Sequence, residues 1–131
     1  MDTYAFPHAS PRQDRDELFR LAGWVVEVFD RATLQAAENA EALDEHLAAA
    51  NAEALAIAQR IERQPALSGS AIAHHHNQMR RLSQLAPAAI AWVARHAQSA
   101  NQDRWDEFRH HLVGRCEAII RECPHPALSD E

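Results

Sequence analysis

The sequence predicts an all-α protein, a helical bundle of three to four helices built on a long, coiled-coil-like N-terminal helix. Three observations lead to this prediction. The chain contains 27 alanines and only three glycines, and alanine has the highest helix propensity of all residues. No segment alternates apolar and polar residues for long enough to form a strand. Apolar residues instead recur at steps of three and four, the spacing of one helix face.

The N-terminal spacing has the form of a coiled-coil seam. It runs for about six heptads without a slip in phase, and its one polar position is Thr33. A pattern of this kind predicts that one face of the helix is buried against other helices. The predicted seam consists of Phe19, Ala22, Val26, Phe29, Thr33, Ala36, Ala40, Leu43, Leu47, Ala50, Ala54, Ile57 and Ile61.

The first helix is predicted to begin at about Pro11, with Ser10 as its cap. Ser10 and Gln13 form a capping-box pattern around a proline, which suits the first turn of a helix. Two paths then remain open. Either the helix continues to residue 63, or Asp30 or Thr33 caps a second, antiparallel helix. We favour the continuous helix because the heptad phase passes through this segment unbroken.

The second half of the chain predicts further helices. Pro65 ends the first element and opens a loop, after which helix resumes at residue 71. Pro87 either kinks that helix or restarts it. Ser99 opens a second capping-box pattern, and the helix that follows runs to Glu122. The apolar stripes of these helices are Ile72, Met79, Leu82 and Ala86 in the first and Trp105, Phe108, Leu112, Cys116, Ile119 and Cys123 in the last.

The length of the chain predicts one domain. At 131 residues it can bury a core without a disulfide or a structural metal. We expect this domain over residues 10–123, with a flexible arm over residues 1–9 and a polar tail over residues 124–131. Cys116 and Cys123 share the apolar stripe of the last helix but are too far apart along it to form a disulfide. We therefore interpret them as buried structural thiols.

The formal net charge is −6, and the acidic residues are concentrated in the first half of the chain. A negative field repels phosphate backbones and anionic lipid, so we expect neither nucleic acid nor a membrane as partner. No stretch approaches the ~20 apolar residues of a membrane span, and no secretory pattern opens the chain. We expect a protein that is cytoplasmic where it is made, with delivery elsewhere by a specialised system left open.

Nine histidines make a metal site an alternative, because imidazole is the commonest metal ligand. On a helix, His75 points towards the apolar stripe of its segment and His76 lies about 90° away from it. The other cluster straddles the outer face of the last helix, where i,i+4 pairs with acidic residues can form metal clamps. The candidate ligands are His75, His76, Asp106, Glu107, His110 and His111. Solvent-exposed histidines and a hydrogen-bonded His75 are the competing explanation, and we expect no resident cofactor.

Residues that could carry catalysis form no recognisable set. A carboxylate-bridged di-iron bundle needs Glu-x-x-His on each of two helices, whereas this chain offers one match, from Glu107 to His110. Glycine-rich phosphate loops and zinc-finger spacings are absent from the sequence. We therefore expect a protein that is not an enzyme.

The acidic residues suggest a further alternative, a DNA-mimic inhibitor. A rod of negative charge can imitate the phosphate ladder of DNA and occupy a nucleic-acid-binding groove. On one continuous helix, the acids that fall off the seam and onto the outward arc are Glu38, Glu41, Asp44, Glu45 and Glu53.

The function we expect is binding of another protein, as an adaptor, an inhibitor or a chaperone. Residues 18–29 carry apolar side chains on several sides of the helix, and such a surface is not left in water. With a continuous first helix, a second copy of the chain would cover it, and we expect a homodimer. If the chain reverses near Asp30, the same residues pack within one four-helix bundle. The predicted interface residues are Leu18, Leu21, Trp24, Val25 and Val28.

Overall fold

The computed structural model describes residues 11–64, 70–99 and 101–122. Four α-helices and one short 3-10 turn account for nearly all of these residues, and no strand occurs among them. The prediction of an all-α bundle is confirmed. The predicted arm and tail, the capping pattern at Ser10, the loop after Pro65 and the thiol of Cys123 lie outside the described residues. The helices are α1 (Pro11–Glu38), α2 (Leu43–Glu62), α3 (Ser70–His96) and α4 (Gln102–Arg121), with the 3-10 turn at Ala40–Ala42.

Helix α3 lies at the centre of the bundle. It packs against each of the other three helices, whereas α4 packs against α1 and α3 and, in the part of the chain that the structure describes, makes no backbone contact with α2. The side chains of α3 that face inward are correspondingly inaccessible, with Leu82, Ala86 and Val93 at 0% exposure. Because α3 is at the centre, the polar side chains that it directs inward are shielded from solvent.

The continuous N-terminal helix is wrong, and so is the alternative break near Asp30. The chain is helical through residues 30–33 and breaks instead at Asn39, whose backbone leaves the helical region with φ −150° and ψ 76°. The Asn39 carbonyl oxygen accepts hydrogen bonds from the Ala42 amide and the Gln35 side chain. Asparagine has a low helix propensity. The alanines around it favour helix, so the sequence alone does not indicate the break.

The predicted seam is right only in part in α1. Ala22 and Phe29 are buried as predicted, but Phe19 is 53% exposed, whereas Val25, outside the seam, is fully buried. The buried face is rotated by about 60° from the predicted one, because α1 packs against all three other helices rather than against a coiled-coil partner alone. In α2 the seam is confirmed at Leu43, Leu47, Ala54 and Ile61. The buried face of α1 consists of Leu18, Ala22, Val25, Val28, Phe29 and Ala32.

Pro87 does not restart the helix, since α3 runs continuously through it. A proline lacks the amide that would bond the carbonyl four residues earlier, which here belongs to Ser83. The buried Ser83 hydroxyl donates to the Arg80 carbonyl at 2.8 Å. Burial of residues on both sides of Pro87, from Leu82 to Val93, outweighs the loss of one backbone hydrogen bond.

The stripe of α4 is confirmed, although its cap is Asn101 rather than Ser99. The Asn101 side chain accepts a hydrogen bond from the Arg104 amide at 3.0 Å. Leu112, Cys116 and Ile119 of the stripe are buried, and burial raises the pKa of the Cys116 thiol to about 11. This thiol is therefore protonated and inert at neutral pH, as a structural cysteine should be.

An aromatic cluster joins α4 to the centre of the bundle. Trp92 stacks on Phe108 with ring centroids 4.4 Å apart, and Phe29 lies 5.1 Å from Phe108. At the rim of this contact, the Arg109 guanidinium binds both carboxylate oxygens of Asp30, at 2.9 and 3.1 Å. Together these contacts fix the position of α4 on α1 and α3. Among the described residues, no helix has the length and apolar content that crossing a membrane requires.

Candidate functional site

Three consecutive histidines at the start of α3 reach the three other helices. His74 Nε2 donates to the Glu122 carbonyl oxygen at the end of α4, at 3.4 Å. His76 Nε2 donates to the Ile61 carbonyl in the last turn of α2, at 2.7 Å. His75 Nε2 contacts a carboxylate oxygen of Glu17 in α1, at 2.9 Å. All three rings are half-buried, because the helix that carries them is surrounded.

His75 lies beside two carboxylates of α1, and we refer to the three side chains as the Asp14–Glu17–His75 cluster. Asp14 and Glu17 are three residues apart, so both project from the same side of the helix. The His75 Nε2 atom lies 2.9 Å from Glu17 Oε1 and 3.9 Å from Asp14 Oδ1. One potential ligand atom from each residue lies within 4.8 Å of the other two. Among the described residues this is the only group of three or more His, Cys, Asp or Glu side chains with such spacing.

The electrostatics of the cluster come mainly from the contact between the imidazole and Glu17. The hydrogen bond from His75 lowers the pKa of the Glu17 carboxyl below its ordinary value of 4.5, and partial burial opposes this shift. The other ring nitrogen of His75, Nδ1, is buried and has no hydrogen-bond partner. The polar chemistry of this ring is therefore confined to Nε2, which faces the two carboxylates.

The end of α4 is held by polar side chains of α3. The buried Gln78 amide donates to the Ile119 carbonyl at 2.6 Å and to the Ile120 and Glu122 carbonyls at 3.5 Å. Arg81 donates to the Glu122 carboxylate at 2.6 Å, and this contact lowers the pKa of Glu122. The last carbonyls of a helix have no partners within it. The arrangement is therefore a structural cap supplied by a neighbouring helix.

The other predicted metal ligands join no group of three among the described residues. His76 is committed to the α2 carbonyl, and the remaining four lie on the exposed face of α4. The rings of His110 and His111 lie 6.2 Å apart edge to face, and Asp106 accepts a hydrogen bond from Gln102. None of these side chains belongs to a group of three close ligand atoms in the described part of the chain.

The residues predicted as an intermolecular interface are covered within the single chain. Leu18, Val25 and Val28 are buried in the core, and Leu21 and Trp24 pack partly against it. The prediction that a second copy must cover them is wrong in its premise, because the chain reverses at Asn39 and its own helices cover this segment. The oligomeric state itself stays a prediction that one chain does not test.

The outward side of α2 carries a row of exposed apolar residues. Leu55 is 46% exposed, and four alanines beside it are also exposed. At the helical repeat these residues lie within about 60° of one direction, which points away from the buried Leu47 and Ala54. We name this surface the α2 face, and it consists of Ala48, Ala49, Ala52, Leu55 and Ala56.

The acidic residues do not form a rod. Because α1 ends at Glu38, four of the five predicted acids, from Glu38 to Glu45, lie around the turn between α1 and α2, and the fifth, Glu53, lies further along α2. All of them are exposed, but the regular ladder that a mimic of DNA requires depended on one continuous helix. The structure therefore removes the geometric basis of the DNA-mimic hypothesis.

Comparison of the chain with protein-family models, with curated proteins and with solved structures gives no match. Function must therefore be inferred from the geometry. Sequence reasoning found His75 but missed Asp14 and Glu17. Their spacing of three residues on the edge of the α1 stripe does indicate that both lie on one side of the helix. Only the packing of α1 against α3 shows that this side meets His75.

Proposed function

We propose that this chain is a cytoplasmic, non-catalytic helical-bundle protein that acts by protein–protein interaction, and that the α2 face is the interacting surface. The observation that carries the proposal is the exposure of Leu55 within a row of exposed alanines. Contiguous apolar surface on a small protein marks an interaction site more often than isolated apolar residues do. No charged side chain interrupts the α2 face between Glu45 and Arg60 on its outward centre line.

The shape of the α2 face favours a helix as the partner. Alanine side chains allow two helix axes to approach to about 8 Å, the short end of the usual range. Leu55 then supplies the one large side chain that can insert between residues of the facing helix. The proposed interface is therefore a close helix pair rather than a deep pocket.

The charges at the two ends of the α2 face favour an antiparallel second copy of the chain. Glu45 precedes the face and Arg60 follows it. In an antiparallel pair centred between Ala52 and Glu53, Arg60 lies opposite Glu45 of the second copy and Ala56 opposite its Ala49. Such a contact obeys two-fold symmetry, the commonest arrangement of homodimers. Glu62, near the end of the helix, is already paired with Arg80 at 3.7 Å. The expected homodimer is thus assigned to α2 rather than to residues 18–29.

Light scattering after size exclusion tests this proposal at chain concentrations from about 1 to 100 μM, the range of a weak to moderate dimer. We expect a dimer whose mass falls to that of a monomer in Leu55→Glu. The matched control is Leu34→Glu, the same change at a leucine of α1 that is 56% exposed, and it should remain dimeric. A wild-type monomer throughout the range, or a dimer unaffected by Leu55→Glu, contradicts the proposal.

A charge exchange tests the orientation of the pair. Glu45→Arg and Arg60→Glu each place like charges opposite one another in the antiparallel arrangement, so each should weaken the dimer. The variant with both changes restores opposite charges and should recover dimerisation. Failure of the double variant to recover, after both single variants have weakened the dimer, rules out this register.

A further inference from the structure

The geometry points to a binding site for one divalent transition-metal ion at the Asp14–Glu17–His75 cluster. This inference goes beyond the proposed interaction through α2 and does not depend on it, because the cluster joins α1 to α3. The site would use Nε2 of His75 with one carboxylate oxygen from each acidic residue. Among the described residues it is the one place where such ligand atoms converge from two helices.

The distances fit a first-row metal after small side-chain adjustments. Bonds of about 2.0–2.2 Å in tetrahedral geometry place neighbouring ligand atoms roughly 3.3 Å apart. Here Nε2 lies 2.9 Å from Glu17 and 3.9 Å from Asp14, and the whole set is within 4.8 Å. Small rotations of the Asp14 and Glu17 side chains even out these separations without moving a helix, and the Glu17 side chain is 49% accessible. The metal takes the place of the proton that Nε2 shares with Glu17.

The ligand set specifies the class of ion. Two carboxylates balance the charge of a divalent cation, and an imidazole nitrogen favours zinc, iron, nickel or copper over calcium and magnesium, which prefer oxygen ligands. Three protein ligands leave at least one coordination position open to water. The exposed side of Glu17 gives solvent and ion a path to this position.

The surroundings of His75 limit the affinity. Ligating histidines usually donate their second N–H to an acceptor, and such partners raise metal affinity by about 10- to 100-fold. The Nδ1 atom of His75 is buried without a partner. We therefore expect binding on the order of micromolar rather than the tighter binding of closed structural zinc sites.

Calorimetric titration of the purified chain with ZnCl₂ tests the site directly. We expect one equivalent bound, with affinity reduced by roughly tenfold or more in both Glu17→Gln and His75→Gln, because each removes a ligand. The matched control carries Glu107→Gln with His111→Gln, the same chemical changes on the exposed face of α4, and should bind zinc as the wild type does. Titration with CaCl₂ should give far weaker binding.

A second measurement separates loss of the site from loss of the fold. A ligand that binds only the folded state raises the melting temperature, so excess zinc should stabilise the wild type and the control variant but not Glu17→Gln. Glu17 is half-exposed, and its replacement should leave the helical circular-dichroism spectrum unchanged. Zinc binding absent below millimolar concentration, or equal in wild type and Glu17→Gln, overturns the inference.

Discussion

The two histidine clusters of this chain have opposite environments although both lie within α-helices. The rings at residues 74–76 are half-buried and reach three different helices, whereas those of His110 and His111 are exposed and contact each other. The difference comes from the position of the helix and not from the local sequence. Helix α3 has neighbours on three sides, and α4 lies at the edge of the bundle.

A helix that is surrounded by other helices can use polar side chains to specify how its neighbours pack against it. A polar group that α3 places between helices is costly without a partner, since a buried unpaired donor costs about 1–3 kcal/mol. His76 and Gln78 satisfy this need by bonding carbonyls at the ends of α2 and α4. The same residue types on the outer face of α4 are hydrated and carry no such constraint. Four predictions test this contrast, beginning with the largest effect.

Leu82→Ala should have the largest effect, because this residue is fully buried at the centre of α3. Loss of its side chain should lower the free energy of unfolding by about 3 kcal/mol, measured by urea denaturation. Leu34→Ala, at an exposed leucine of α1, is the matched control and should change stability by no more than about 0.5 kcal/mol. Equal effects would show that α3 is not the central helix.

Gln78→Ala should lower the free energy of unfolding by about 2 kcal/mol, because it leaves buried carbonyls at the end of α4 without their donor. Gln84→Ala removes the same side chain from an exposed position of the same helix and serves as control. Hydrogen exchange gives a local readout, in which the amides near Ile119 and Ile120 should lose protection in Gln78→Ala alone. Unchanged protection there contradicts the capping role.

His76→Ala should lower the free energy of unfolding by about 1 kcal/mol through loss of the hydrogen bond to α2. The variant with both His110→Ala and His111→Ala, which removes two exposed rings, should change it by no more than about 0.5 kcal/mol. Thermal or urea unfolding compares the two directly. A larger effect for the α4 pair would reverse the contrast between the clusters.

The smallest effect concerns the pH dependence of the contact between α3 and α1. His75 lowers the pKa of Glu17 in the folded state below 4.5, so the folded state holds that proton less tightly than the unfolded chain does. The contribution of this contact to the free energy of unfolding is therefore complete above about pH 4.5. It is lost as the pH falls through the lowered pKa of Glu17. The stability difference between wild type and Glu17→Gln should shrink over this range of pH. In a His75→Gln background the same substitution should show no such pH dependence.

Sequence reasoning predicted the fold class and most of the core of the later helices. The stripes of α3 and α4 repeat large apolar residues such as Met79, Leu82 and Leu112, and these are buried as expected. It was less accurate in α1, where residues 18–29 are apolar on several sides. With apolar residues all around a helix, periodicity alone cannot identify the face that packs, so Phe19 was misplaced and Val25 was assigned to an interface.

The candidate sites were likewise predicted only in part from the sequence. His75 was identified from its position on the α3 stripe, but its partners Asp14 and Glu17 lie about sixty residues away in the sequence. No local pattern connects ligands that far apart, because their distance depends on which helices become neighbours. The α2 face could not be predicted either. An alanine is equally suitable for burial or exposure, so the sequence does not show which alanines face outward.

The sequence by itself determined that this chain forms helices and which residues of α3 and α4 are buried, because helix propensity and apolar spacing are local properties. Only the tertiary structure decided where the first helix ends, which side of it is buried and which side chains of α1 meet His75. Alanine locally favours continuation of the helix, and Asn39, with its low helix propensity, weakens this preference at one position only. The apolar area that α1 and α2 both bury against α3 favours the turn.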